Sequence, residues 1–136
     1  MNKVKTFKIE QKFSGTEDLY SYLLKNVELV GKLIGIQIQK PIKAKPFCII
    51  GKEKITERNI LFFASKSEFP ESLGELIVLA SAFDVDIIVF FVDSASKFHR
   101  ETLNWLQNIC NSDTQFIVGE VLFKFLFNHN ISSQSD

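Results

Sequence analysis

The first stretch of the chain alternates between apolar and polar positions. From residue 4 to residue 13, Phe7, Ile9 and Phe13 fall on one side, and the charged residues between them fall on the other. This period of two is typical of a half-buried strand. Lysines on the polar side suit a strand that lies at the solvent-facing edge of a sheet. Residues 1–13 are therefore predicted to contain an N-terminal edge strand.

The segment after this strand has apolar residues at helical spacing. Ser14 and Glu17 have the spacing of a capping box, so a helix is predicted to begin there, and Gly31 is predicted to end it. Residues 33–39 alternate again and predict a strand. The proline-bracketed basic segment 40–46 predicts an irregular connector, because proline lacks the backbone donor that a sheet needs. The apolar face of the helix consists of Leu19, Leu23, Val27 and Val30.

The later part of the chain predicts alternating strands and helices. Residues 86–93 form a nearly continuous apolar run, as expected of a central strand that is covered on both faces. The other predicted elements are strands at 47–51, 59–64 and 115–119, an extended segment at 121–127, a helix at 71–83, and a second helix that ends near Cys110. We therefore predict an α/β fold with a mixed central sheet of about five strands flanked by helices.

Size and composition predict one domain over residues 1–136, with a disordered polar tail at 128–136. The N-terminus lacks the apolar core of a signal peptide, and no apolar run approaches the roughly 20 residues of a membrane span. The two cysteines, Cys48 and Cys110, lie in apolar surroundings and predict reduced, buried thiols. We expect a cytoplasmic protein without membrane contact.

Charge is balanced overall but segregated along the chain. There are 16 basic and 16 acidic residues, which argues against strong duplex binding, because domains that bind through many phosphates are usually basic. Basic residues nevertheless predominate between residues 32 and 58. A nucleic-acid-binding surface in that region would use Lys40, Lys43, Lys45, Lys52, Lys54 and Arg58. The alternative interpretation of this segment is a solvated loop.

Three segments together resemble a nuclease family. They are residues 73–84 (LGELIVLASAFD), the apolar strand at 87–92 and residues 98–107 (FHRETLNWLQ). In this order they are similar to members of the PD-(D/E)xK superfamily, and residues 115–121 fit the family's final strand. The resemblance covers about residues 16–122 and implies a restriction-endonuclease-like core. It also implies metal-assisted phosphodiester hydrolysis, in which two carboxylates bind a divalent ion and a Lys or Gln orients water.

The resemblance places the family's metal-binding and catalytic positions on residues that cannot fill those roles. The acid of the second strand falls on Cys48, the acid of the third strand on Phe62, and the Lys or Gln on Ala64. Mg²⁺ requires oxygen ligands, which these side chains do not supply. We therefore expect no catalytic residues, no bound metal and no cofactor. A relocated site would use Lys66, Glu68 and Glu75 with Mg²⁺ or Mn²⁺, although loop charges fix a metal poorly.

The function expected from these observations is that of a catalytically inactive nuclease-like domain acting as a binding or assembly module. A homodimer is expected, because both faces of the aromatic strand 122–127 are apolar and need cover. Either a partner subunit or the N-terminal strand could supply that cover. Replacing Phe125 with Asp would disrupt a dimer formed there. A nuclease with a relocated site and a non-catalytic nucleic-acid-binding module remain alternatives.

Overall fold

The computed structural model describes residues 4–44, 48–64, 74–76, 78–79, 84–93, 104 and 114–123. The strands are β1 (Lys5–Phe13), β2 (Ile38–Ala44), β3 (Cys48–Glu53), β4 (Asn59–Phe63), β5 (Ile87–Asp93) and β6 (Gln115–Phe123). The helices are α1 (Thr16–Lys25) and α2 (Val27–Ile34). Residues 74–76 and 78–79 are also helical.

The strands form one mixed sheet in the order β1-β6-β5-β4-β3-β2. β1, β6, β5 and β4 run parallel to one another, whereas β3 is antiparallel to both β4 and β2. The mixed α/β fold predicted from the sequence is confirmed. The described residues contain six strands rather than about five, because the N-terminal strand joins the same sheet as the later strands.

Each face of the sheet carries its own apolar core. α1 and α2 cover one face, where Leu19, Tyr20, Val30 and Ile34 pack on side chains from β1, β3, β4, β5 and β6. On the other face, the helical residues 74–76 and 78–79 contribute Leu76 and Leu79 to a second cluster. β5 lies between parallel neighbours, and its apolar residues from Ile87 to Val92 are all buried. The prediction of a fully covered strand over residues 86–93 is thus confirmed.

The first helix differs from its prediction at both ends. Its N-cap is Gly15, and the backbone N–H of Ser14 donates to Asp18 Oδ2 at 3.0 Å. The predicted capping box, with Ser14 as the N-cap and Glu17 as its partner, is therefore wrong, because the N-cap and the acidic acceptor each lie one residue later. The helix also breaks at Asn26, whose φ is −124° and whose side-chain amide donates to the Tyr22 carbonyl at 3.0 Å.

A second helix occupies residues that were predicted to be helix end and strand. α2 continues through Gly31 and ends at Gly35, which has the left-handed φ of 76° that glycine adopts without strain. Gly31 is needed for a different reason. A Cβ at this position would lie 2.4 Å from the Ile36 carbonyl oxygen, because the chain folds back across the helix here. The strand predicted at residues 33–39 therefore begins only at Ile38.

The proline-bracketed segment is a strand over most of its length. β2 runs through Pro41, so the prediction of an irregular connector at 40–46 is wrong for residues 40–44. The proline is tolerated because β2 lies at the edge of the sheet. The pairing of β2 with β3 also shifts between Gln39 and Ile42, which places Pro41 in an irregularity of the ladder.

Several predicted features lie outside the described residues. They are most of the helix that ends near Cys110, the end of the aromatic segment beyond Phe123, and the predicted tail at 128–136. Within that helix, the side-chain oxygen of Asn104 accepts a hydrogen bond of 2.8 Å from the Val4 backbone N–H. This contact ties the start of the chain to the helix predicted around Asn104. In the part of the chain that is described, no helix is long and apolar enough to cross a membrane.

Candidate functional site

The positions that the nuclease resemblance singled out lie at one end of β3 and β4, but they do not converge. Phe62 and Ala64 face α1 and α2, and they are 1% and 5% exposed. Cys48 belongs to the cluster on the opposite face of the sheet. The residue of β3 that pairs with Phe62 is Ile49, which shares its face. The structure therefore brings Phe62 and Ala64 together with Ile49 and separates them from Cys48.

A buried tyrosine that is not among the predicted site residues closes the end of β4. Tyr20 of α1 is 1% exposed. Its hydroxyl donates to the Ala64 carbonyl oxygen at 2.8 Å and accepts from the Ala64 backbone N–H at 2.9 Å. Ala64 lies one residue beyond the end of β4 and is itself buried. The tyrosine hydroxyl supplies the partners that both backbone groups need at this depth.

The environment of Tyr20 holds its hydroxyl neutral. Burial raises the pKa of this group well above its ordinary value of 10.0, although the hydrogen bond with Ala64 acts in the opposite direction. Electrostatic interactions with Cys48, Glu17 and Glu75 contribute smaller increases in its pKa. The hydroxyl is therefore protonated at neutral pH, where it satisfies both backbone groups of Ala64. The helical position of Tyr20, next to Leu19 and three residues before Leu23, was the available signal that it faces the core.

Cys48 shows no sign of an activated thiol. It is fully buried and is not part of a disulfide. Burial raises the pKa of the Cys48 thiol, which disfavours the nucleophilic thiolate. The prediction of a reduced, buried thiol is confirmed for Cys48, whereas Cys110 lies outside the described residues.

The relocated metal site is described only in part. Lys66 and Glu68 lie outside the described residues. Glu75 lies in the helical segment 74–76 with an exposed side chain. Across the described ranges, no group of three or more His, Cys, Asp or Glu side chains could hold a metal ion. These ranges therefore provide no oxygen donor set for Mg²⁺ or Mn²⁺.

The basic residues proposed for nucleic-acid contact are divided between the two faces of the sheet. Lys43 pairs with Ile49 of the α1-facing core, and its ammonium contacts Glu17 of α1 at 2.5 Å. Lys52 is exposed and lies three positions further along β3 than Ile49, so its side chain points to the other face. Lys45 and the side chain of Lys40 lie outside the described part.

Arg58 is committed to a local ion pair in the β3–β4 turn. Its guanidinium donates to Glu53 Oε1 at 2.8 Å, and the Thr56 hydroxyl donates to the same oxygen. These interactions, with the Thr56 hydrogen bond as the largest, hold the pKa of Glu53 below its ordinary value. Lys54 is exposed in this turn. Of the four candidate cations whose side chains are described, Lys43 and Arg58 have carboxylate partners, and these four side chains do not form one continuous basic surface.

Comparisons with protein-family models, with curated proteins and with solved structures found no match to this chain.

Proposed function

We propose that this chain is a catalytically inactive nuclease-like domain that acts as a binding and self-assembling module. The order of its elements supports the resemblance to the PD-(D/E)xK superfamily. A helical region leads into β2, the antiparallel β3 and β4 follow, and the parallel β5 and β6 complete the sheet. This is the succession that the resemblance implies, with the acids of an active member expected on the strands that correspond to β3 and β4.

The observation that carries the proposal is the filled end of β4. An active site must admit a metal ion, a phosphodiester and water, so it needs a cleft with polar groups directed into it. Here Phe62 and Ala64 are buried, and Tyr20 lies against Ala64 through two hydrogen bonds. Opening this position would expose apolar side chains and break both bonds. Buried, mainly apolar side chains therefore occupy the position at which the resemblance implies catalytic residues.

Neither alternative receives comparable support. A relocated site depends on Lys66 and Glu68, for which no geometry is described, and on the exposed Glu75. A nucleic-acid surface depends on cations of which Lys43 and Arg58 are already paired with carboxylates. A protein partner requires neither metal ligands nor a basic surface, and it is the binding role we favour.

The proposal is tested by metal-dependent cleavage of single- and double-stranded DNA and RNA in Mg²⁺ and in Mn²⁺. The wild type is compared with a Lys66→Ala/Glu68→Ala double variant and with Glu75→Ala, all purified identically. We expect no cleavage by any of them. Cleavage by the wild type that disappears in either variant would overturn the proposal, whereas equal cleavage by all three would identify a contaminating nuclease.

The nucleic-acid alternative has a separate test in the same preparations. Labelled duplex and single strands are titrated at several salt concentrations, since phosphate contacts release counterions and make affinity depend strongly on salt. We expect no salt-dependent binding. Binding that weakens with salt and is reduced by Lys52→Ala/Lys54→Ala, with Lys43→Ala as the ion-paired control, would favour the nucleic-acid-binding module instead.

A further inference from the structure

The outer face of α2 exposes an apolar pair that nothing in the described chain covers. Leu29 and Leu33 are 49% and 46% exposed. Because they are four residues apart, their side chains lie on the same side of the helix. On the inner side of the same helix, Val30 and Ile34 are buried in the core. α2 is therefore apolar both toward the core and toward solvent, which is unusual for a helix with only one covered face.

A hollow adjoins this apolar pair. It has a volume of about 250 Å³ and lies where α2 passes the first residues of β1. This volume is many times the roughly 30 Å³ that one water molecule occupies in the liquid. The hollow can therefore admit an apolar side chain from outside. It is lined by Lys5, Thr6, Phe7, Leu33, Ile34 and Ile117.

The charged residues beside the leucines indicate which partner fits. Glu28 and Lys32 are exposed and are also four residues apart, so they form a charged row next to the apolar pair. When two copies of α2 pack antiparallel about a two-fold axis, this row lies on the same side of the contact in both copies. Glu28 of each copy then faces Lys32 of the other. A parallel arrangement would place the rows on opposite sides and lose both pairs.

We propose that this surface, formed by Glu28, Leu29, Lys32 and Leu33 with the adjoining hollow, binds the same surface of a second copy of the chain, with the two α2 helices antiparallel. The inference rests on the proposed self-assembling function. It places the contact between copies on this α2 surface rather than on the aromatic segment 122–127. β1 pairs with β6 as far as Phe123, so the sheet edge of the described part of that segment is already occupied. An eight-residue helix contributes less area than the roughly 800 Å² per partner of a standard interface. We therefore expect concentration-dependent association.

The first test measures the mass of the full chain by light scattering and sedimentation over a wide concentration range. We expect the wild-type mass to rise toward twice that of one chain. Leu29→Glu and Leu33→Glu should each raise the dissociation constant of the dimer about tenfold or more. Each substitution would place a carboxylate at the centre of the contact, where association buries it. Val78→Glu is the matched control, since Val78 is a helical residue with 68% exposure on the opposite face of the sheet. Circular dichroism verifies that each variant is folded.

The second test probes the antiparallel arrangement without changing an apolar residue. Glu28→Lys and Lys32→Glu should each reduce self-association, because like charges would meet across the two-fold axis. A mixture of the two variants should form heterodimers, since each copy then carries the charge that the other requires. A monomeric wild type, an unchanged mass for both leucine variants, or the absence of heterodimers in the mixture would overturn the inference. Loss of the dimer in Phe125→Asp alone would place the contact on the aromatic segment and leave the proposed function standing.

Discussion

Replacing Tyr20 with Phe removes one oxygen atom and both hydrogen bonds that close the end of β4. The ring remains, so the packing of α1 on the sheet is preserved. The Ala64 N–H and carbonyl lose the hydroxyl that contacts them at 2.9 and 2.8 Å. Because Ala64 is only 5% exposed, water does not readily replace the lost partner.

The expected cost follows from these lost contacts. A buried hydrogen bond contributes about 1 kcal/mol net, and a buried donor or acceptor without a partner costs about 1–3 kcal/mol. The variant no longer pays the free-energy cost of burying the hydroxyl, and this gain offsets part of the loss. We expect Tyr20→Phe to lower the free energy of unfolding by about 2–3 kcal/mol. For a domain of this size, the corresponding fall in Tm is roughly 10 °C.

Urea denaturation of the two tyrosine variants measures this effect. Tyr22→Phe is the matched control, because Tyr22 is half-buried and its ring packs edge-on against Phe13 with centroids 5.4 Å apart. That contact survives the substitution, so a change within about 0.5 kcal/mol is expected. An unchanged m-value would show that the substitution altered stability rather than the surface exposed on unfolding. Amide exchange at Ala64 should accelerate in Tyr20→Phe only.

The same hydroxyl predicts a loss of stability at high pH. Its pKa is raised in the folded state, so the native protein binds this proton more tightly than the unfolded chain does. The contribution is complete below the unfolded pKa near 10.0 and is lost as the pH rises above it. Tyr20→Phe should lose less stability above that pH than the wild type. A Tyr20→Phe variant as stable as Tyr22→Phe, with the same alkaline pH dependence as the wild type, would refute the role assigned to this hydroxyl.

Two further substitutions test the close approach at Gly31 of α2 and the ion pair of Glu53 at the end of β3. Gly31→Ala should destabilise the protein by about 1–3 kcal/mol in urea denaturation, because its Cβ would meet the Ile36 carbonyl oxygen at 2.4 Å. Gly15→Ala is the control, since a Cβ there meets nothing within 4 Å, and an equal effect of both would contradict the close approach at Gly31. Because the pKa of Glu53 is lowered in the folded state, its carboxylate contributes stability at pH values above its ordinary pKa of 4.5. This contribution is lost as the pH falls through the lowered pKa. Glu53→Gln should therefore cost more stability at neutral pH than at pH values below that pKa, and a pH-independent cost would contradict the shift.

Local patterns in the sequence predicted the strands that depend on short-range periodicity. The alternation in β1 reports a strand with one covered face, and the unbroken apolar run of β5 reports a strand covered on both. The apolar segments that became β3 and β4 were predicted for the same reason. In each case, the pattern of apolar and polar side chains over a few consecutive residues indicates whether one or both faces of the strand are buried.

The sequence was a weaker guide where a helix or strand ends. Gly31 and Gly35 are both plausible helix ends, and only the folded chain shows that Gly31 is needed for the close approach of Ile36. Pro41 argues against a strand unless the segment lies at a sheet edge. That position is decided by the neighbouring strands and not by the proline itself.

The sequence determined by itself which segments must be buried, and also that Cys48, Phe62 and Ala64, the positions that the nuclease resemblance singled out, carry no side-chain oxygen donors. Only the tertiary structure decided which of those positions share a face. The register of β3 against β4 places Ile49, rather than Cys48, opposite Phe62. It also decided that Tyr20 meets Ala64, 44 positions away, and that β1 pairs with β6 at the far end of the chain. Contacts between distant residues depend on how whole elements pack, and no local period records that packing.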